Sequence, residues 1–176
     1  QLRRIDLGKV KMKREVIPLN PFIIELTKFF ESYAKLKEVS ISLNLPYDQT
    51  ALKADREQLK TILYNLLSNA IKHSPPQGEI TISVYHQDGS LNKRNSWLRS
   101  VLNNKPTTQR WIAIEVSDSG EGIAKAELGK VFQRFYQAGS STYSKTGSGI
   151  GLSLVKEYVE MHKGVAVSYT HLRAHE

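Results

Sequence analysis

The sequence contains no cysteine among its 176 residues, which excludes disulfide bonds, thiolate metal sites and cysteine nucleophiles. It also lacks an apolar run of the ~18 to 20 residues that would cross a bilayer, so we expect this part of the protein not to insert into a membrane. The chain starts without an initiator methionine or an apolar secretory stretch. We interpret it as a cytoplasmic piece of a longer protein, and that parent could itself be anchored in a membrane.

The positive charge is unevenly distributed. The formal net charge is +8, and the excess lies in residues 1–14 and 86–110, so the rest of the chain is close to neutral. Runs of like charge are usually solvated, and we therefore expect no nucleic-acid surface. The first basic run is interpreted as a junction with a preceding domain, and the second as an insertion in a hairpin.

Hydrophobic periodicity predicts an α/β chain. Apolar residues recur at helical spacing over residues 55–73, and they alternate with polar residues over 39–45. Two further strands, 80–84 and 111–116, are expected to form a long hairpin around the insertion. The other predicted elements are a strand over 10–19, a helix capped by Asn20 and running to about residue 37, helices near 125–136 and 150–162, and a short last strand over 165–168. Because strands and helices do not alternate strictly, a mixed sheet covered on one face by helices is predicted.

The first candidate motif lies late in the 55–73 helix. Asn65, Asn69 and Lys72 are three or four residues apart and project from the side opposite the leucine stripe. An amide oxygen suits hydrated Mg²⁺ and an ammonium suits phosphate, although such a polar face can also be merely solvated.

The second candidate motif follows the strand that ends near residue 116. Asp118 can accept a hydrogen bond from an exocyclic amine such as adenine N6, while Gly120 and Gly122, followed by Ile123, allow close approach to a flat ring. An ordinary Asp-Gly turn is the alternative.

Two more motifs stand near the C-terminal end. In the segment 132–136, the aromatic residues are expected to pack in the core at a helix end, with Arg134 able to reach a phosphate. The segment 147–152 opens a helix after a glycine-rich loop, where backbone N–H groups favour an anion. Its spacing fits neither a dinucleotide fingerprint nor a Walker A loop.

In this order the four motifs resemble the N, G1, F and G2 boxes of sensor histidine kinases. Their ATP-binding domain is related to those of type II topoisomerases, MutL and a heat-shock chaperone. The resemblance covers roughly residues 10–167. It implies a two-layer α/β sandwich, with a mixed sheet covered on one face by helices, in which ATP lies between helices and a lid over about residues 137–148.

The resemblance also implies roles for individual residues. Asn69 would ligate Mg²⁺, Asn65 and Lys72 would act at the phosphates, and His73 would line the nucleotide pocket. Asp118 would bind the adenine amine. The remaining nucleotide contacts would come from Gly120, Gly122, Ile123, Arg134, Gly147, Ser148, Gly149, Ile150, Gly151 and Leu152.

The family's phosphoacceptor motif, a histidine followed by an acidic residue within a dimerising helix, is absent from this sequence. The resemblance therefore implies a kinase module that positions ATP and Mg²⁺ for a histidine on a separate dimerisation domain of a homodimeric parent. A response regulator receiver domain would act downstream. Residues 1–9 would end the dimerisation helix, 10–168 would form the catalytic domain, and the tail 169–176 does not fit the family pattern.

Two alternatives stay open. One is an ATP-hydrolysing switch like the topoisomerase and MutL relatives, which use a glutamate one helical turn before the metal-binding asparagine. That position here is Asn65, and an amide is a poor base. The other alternative is a degenerate scaffold that binds a nucleotide without catalysis.

Overall fold

In the computed structural model, short strands alternate with three helices. The structure describes residues 12–47, 49–87, 111–137 and 148–169, without the side chains of residues 86 and 87. The elements in chain order are β1 (Arg14–Pro18), α1 (Leu19–Leu36), β2 (Ser40–Asn44), β3 (Ala51–Asp55), α2 (Arg56–His73), β4 (Glu79–Gln87), β5 (Trp111–Asp118) and α3 (Gly151–Met161). Residues 1–9, the predicted insertion after Gln87, Gly147 with most of the predicted lid, and the tail after residue 169 lie outside the described residues.

The described strands form two small sheets. In the three-stranded sheet β4 lies between β2 and β5, parallel to β2 with Ile41 opposite Ile80, and antiparallel to β5 with Ile82 opposite Val116. β1 and β3 form a separate antiparallel pair. The predicted mixed sheet is therefore confirmed, and so is the β4–β5 hairpin.

The core lies between the three-stranded sheet and the helices. Every second residue of β4 (Ile80, Ile82 and Val84) is buried in the same cluster as the apolar stripes of α1 and α2. Burying one such aliphatic side chain contributes about 1.5–3 kcal/mol. The stripes consist of Phe22, Ile23, Leu26 and Phe30 in α1, and Leu59, Leu63, Leu67 and Ile71 in α2. This arrangement confirms the predicted two-layer sandwich.

Helix α2 begins where the sequence predicts. The Asp55 Oδ1 atom accepts from the Gln58 N–H at 3.1 Å, and Oδ2 accepts from the Lys13 N–H at 2.8 Å. Desolvation acts to raise the pKa of Asp55, but the backbone N–H groups that donate to its carboxylate outweigh it, and the pKa is lowered. The helix ends at His73, and its C-cap residue Ser74 has an extended backbone before Pro75.

Other predicted boundaries are wrong. Helix α1 begins at Leu19 after Pro18, and Asn20 lies inside the helix with its Nδ2 donating to the Pro46 carbonyl at 2.7 Å. Asn20 therefore ties α1 to the chain after β2 and does not cap it. Strand β3 was not predicted, because Ala51–Asp55 has no β-branched residue and is extended through its pairing with β1.

The segment predicted as a helix near 125–136 is a series of turns. Several of its N–H groups bond three residues back, as from Glu127 to Ala124 and from Lys130 to Glu127, both at 2.8 Å. Gly129 stands in the middle of the segment and disfavours a continuous helix.

Residues 165–168 form no strand. The segment around them is instead held by side chains, since Ser168 Oγ donates to the Leu128 carbonyl at 3.2 Å. Burial and a hydrogen bond with Glu115 of β5 raise the pKa of Tyr169. The described residues contain no helix that is both long and apolar enough to cross a membrane.

Candidate functional site

The second candidate motif packs on the C-terminal end of α2. A Cβ atom on Gly120 would lie 2.6 Å from the carbonyl oxygen of His73 and 2.7 Å from Asp118 Oδ1. The turn before it is fixed to β4, because the Ser119 N–H donates to the Glu79 carbonyl at 3.1 Å and the Glu79 N–H donates to Ser119 Oγ at 2.9 Å. Only a glycine fits this approach between β5 and α2.

The fourth candidate motif packs on the polar face of α2. A Cβ atom on Gly151, the first residue of α3, would lie 2.7 Å from Asn65 Oδ1. The Asn65 amide is itself held in place, since Nδ2 donates to the Thr61 carbonyl at 2.8 Å. The structure therefore brings together two motifs that are more than eighty residues apart in the sequence.

The third and fourth motifs meet through their backbones. The Phe135 N–H donates to the Gly149 carbonyl at 2.8 Å. Gly149 has φ +65°, and a Cβ atom there would lie 2.7 Å from the carbonyl carbon of Phe135. Phe135 also has a positive φ of 64° and is 66% exposed, so the prediction that this aromatic packs in the core is wrong.

Arg134 points to α3. Its Nε donates to Glu157 Oε1 at 3.1 Å, and Nη2 also contacts this oxygen. The pair is partly exposed and contributes at most about 1 kcal/mol. Glu157 was not foreseen, because no local pattern links a residue in a turn to one 23 positions later in a helix.

The surroundings of His73 favour the neutral form of its ring. Partial desolvation and the adjacent Lys72 charge lower its pKa from 6.5, and Asp118 and Glu121 oppose this shift more weakly. The carboxylates of Asp118 and Glu121 are thus close enough to act on the ring. Asp118 itself is exposed, and its Oδ1 accepts from the Gly120 N–H at 2.9 Å.

The other predicted site residues surround these contacts. Asn69 and Lys72 are half-buried on α2, and Gly122 has φ +76°. Ser148 is exposed just before the start of α3, and three apolar residues of the second and fourth motifs are half-buried: Ile123, Ile150 and Leu152. Gly147 is outside the described residues.

Two open cavities of the described chain lie elsewhere. One of about 580 Å³ lies between α1 and β2, and the other, of about 420 Å³, lies beside the start of α2. Neither is lined by the glycines or by Asp118. The close glycine contacts therefore mark the candidate site better than cavity volume does.

The polar face of α2 offers few oxygen ligands for a metal ion. Among the described residues, no group of three or more histidine, aspartate or glutamate side chains could hold an ion. Asn69 offers an amide oxygen, and Mg²⁺ commonly combines one or two protein oxygens with waters and substrate phosphates. The residues fit a magnesium ion that binds together with a nucleotide.

The model of the family described as histidine kinase-, DNA gyrase B- and HSP90-like ATPase matches residues 54–174. The match covers more than half of the chain, and the chain belongs to this family.

Several curated relatives are named histidine kinases. Hybrid signal transduction histidine kinase D of Dictyostelium discoideum is 31% identical over 164 residues, which are 93% of this chain and 10% of the relative. Sensor histidine kinase WalK of Bacillus subtilis is 31% identical over 165 residues, which are 93% of this chain and 24% of the relative. The chain thus spans a tenth to a quarter of these relatives.

Solved structures give the same fold. The catalytic domain of histidine kinase ThkA has a TM-score of 0.64 at 23% identity, covering 85% of this chain and 82% of that chain. Full-length ShkA in complex with AMPPNP has a TM-score of 0.63 at 19% identity, covering 86% and 27%. The fold is that of a histidine kinase catalytic domain.

Proposed function

We propose that this chain binds ATP with Mg²⁺ and positions the γ-phosphate for transfer to a histidine on a separate dimerisation domain, in two-component signalling. The observation that carries the proposal is the contact of Gly151 with Asn65, which places the start of α3 on the polar face of α2. Asn69 and Lys72 follow Asn65 on the same helix by four and seven residues, so they would face the same region as the start of α3.

The phosphate end of the site would be formed by α2 and α3. Ile150 is the N-cap residue of α3, and among the described residues no side chain caps this end, so its first N–H groups would be available to phosphate oxygens. Lys72 would add a positive charge and Asn69 would supply an oxygen to the ion. When bound, Mg²⁺ would neutralise charge on the phosphates.

The adenine end would be formed by the turn after β5. Asp118 is exposed at the strand end and can accept from an exocyclic amine, while Gly120 keeps the turn tight against α2. The neutral ring of His73 would line this pocket without adding a charge next to the base.

Catalysis would rest on placement and charge neutralisation. Asn65 has no basic atom, so this chain would not activate water as the hydrolysing relatives do. The attacking nitrogen would come from the dimerisation domain. Arg134 forms an ion pair with Glu157. We propose that it acts at a phosphate only after this ion pair opens.

The proposal extends to partners. The structural neighbours include histidine kinase ThkA in complex with response regulator protein TrrA, with a TM-score of 0.60 at 20% identity, covering 86% of this chain and 36% of that chain. We propose a response regulator receiver domain as the downstream acceptor, and a homodimeric parent whose catalytic domain works in the cytoplasm.

Calorimetry with AMPPNP, with and without Mg²⁺, tests the binding step. Radiolabelled γ-phosphate then tests transfer, first with the chain alone and then with the dimerisation domain added. We expect binding, no label on the chain alone, and acid-labile label on the added domain. Steady ATP hydrolysis without an acceptor would favour the hydrolysing switch, and absence of binding would contradict a nucleotide site.

A further inference from the structure

The residue that follows α3 joins it to the start of α2. His162 Nδ1 lies 2.7 Å from the Tyr158 carbonyl oxygen, and Nε2 lies 3.0 Å from the backbone nitrogen of Asp55. Asp55 is the N-cap of α2, so one imidazole ring contacts the ends of both helices.

These two contacts determine the state of the ring. A carbonyl oxygen can only accept, so Nδ1 must carry a hydrogen and donate to Tyr158. The Asp55 N–H can only donate, so Nε2 must be unprotonated and accept. The geometry is satisfied by the neutral Nδ1–H tautomer and by no other form of the ring.

Along the antiparallel helices α2 and α3, the His162 contact lies at the start of α2 and the end of α3, whereas Gly151 at the start of α3 meets the middle of α2. Asp55 precedes Asn65 by ten residues, and Gly151 precedes His162 by eleven. At about 1.5 Å per residue, both separations are roughly 15–17 Å. The Asp55–His162 contact and the Asn65–Gly151 contact therefore join the two helices at opposite ends of α3.

Burial alone holds α3 less firmly than it holds α2. Seven residues of α2 are buried, whereas in α3 only Ser153 and Val155 are. A helix with few buried side chains can slide or tilt more easily, so hydrogen bonds at its ends have greater weight. A second bond supports the same end, since Arg14 Nη2 donates to the Met161 carbonyl at 3.3 Å.

We propose that His162 is a positioning residue for the nucleotide site. As the neutral Nδ1–H tautomer it anchors the end of α3 to Asp55, and this anchor determines where Gly151 meets Asn65. The role in nucleotide binding rests on the function proposed above, while the anchor itself does not depend on it.

Nitrogen NMR of the unmodified chain tests the tautomer directly. We expect a protonated Nδ1 and an unprotonated Nε2 for His162 near neutral pH. An Nε2–H tautomer would overturn the proposal, because the Nε2–H group and the Asp55 N–H group would then both be donors and could not form a hydrogen bond.

Two substitutions test the effect on the site. His162→Gln keeps an acceptor for the Asp55 N–H. His162→Phe keeps an aromatic ring but removes this acceptor. We expect His162→Phe to move the NMR signals of the Gly151 amide and the Asn65 side-chain amide, and to weaken AMPPNP binding about threefold to tenfold, the scale of one lost hydrogen bond. His162→Gln should restore most of both. Glu160→Gln, on an exposed residue of the same helix end, is the matched control and should change neither.

The outcomes separate the two proposals. If the unmodified chain fails to bind AMPPNP, the proposed function fails, while the tautomer and the Gly151 and Asn65 signals still test the anchor. If His162→Phe folds and leaves those signals and the affinity unchanged, the anchor is wrong. If His162→Phe fails to fold, the tautomer measurement and His162→Gln still test the anchor. A folded His162→Gln in which the NMR signals of Gly151 and Asn65 have moved would contradict the proposal, because this variant keeps the acceptor for Asp55.

Discussion

Gly120→Ala is the sharpest test of how the turn after β5 is held against α2. Gly120 does not have a positive φ, so alanine can adopt its backbone conformation and the substitution tests the contact alone. The added Cβ would lie 2.6 Å from the His73 carbonyl oxygen, where ordinary van der Waals contact begins near 3.4 Å. The neighbour must therefore yield by about 0.8 Å.

Neither neighbouring atom can move away from the added Cβ without losing a native contact. The second close atom, Asp118 Oδ1 at 2.7 Å, can rotate away only by losing its bond from the Gly120 N–H. The His73 oxygen belongs to the backbone of the last turn of α2, so relief there requires the turn and the helix to separate. Overpacking of this kind typically costs about 1–3 kcal/mol.

Denaturant unfolding and AMPPNP calorimetry measure the two consequences. We expect the free energy of unfolding to fall by about 1–3 kcal/mol and the affinity to fall by about tenfold or more, since displacement moves Asp118 from the proposed adenine pocket. Gly129→Ala is the matched control: its Cβ would meet nothing within 4 Å, and both quantities should stay near the unmodified values. If Gly120→Ala behaves like Gly129→Ala in both assays, the reasoning about this contact is refuted.

Three further predictions concern single side chains. Asp118→Asn should weaken adenine nucleotide binding by about 1–3 kcal/mol, the scale for a lost charged hydrogen bond, and unchanged calorimetric affinity would remove Asp118 from the pocket. Asn69→Ala should reduce Mg²⁺-dependent AMPPNP binding more than metal-free binding, because an oxygen ligand is lost; equal losses would contradict the metal role. The pKa of His73 is lowered below 6.5, so between the folded and unfolded values the unfolded chain binds more protons, and stability should fall as the pH drops below 6.5. His73→Asn should make this fall smaller in denaturant unfolding, and an equal fall in both proteins would count against the shift.

The elements that the sequence determined are those with local signals. Helix α2 has apolar residues at helical spacing, an aspartate N-cap and a proline just after its end, and all three signals act within a few residues. The strands β4 and β5 have apolar residues at every second position, which is also a local signal. The four motifs could likewise be found without coordinates, because their residue types and order are properties of the chain.

Other features depended on partners far along the chain. Ala51–Asp55 is a strand because β1 pairs with it, and the predicted helix near 125–136 became turns around Gly129. The sequence could not show that Arg134 meets Glu157 or that His162 meets Asp55, since such pairs form only when helices pack. The tertiary structure decided these contacts, and with them the approach of Gly151 to Asn65, because packing fixes distances between residues that local periodicity leaves independent.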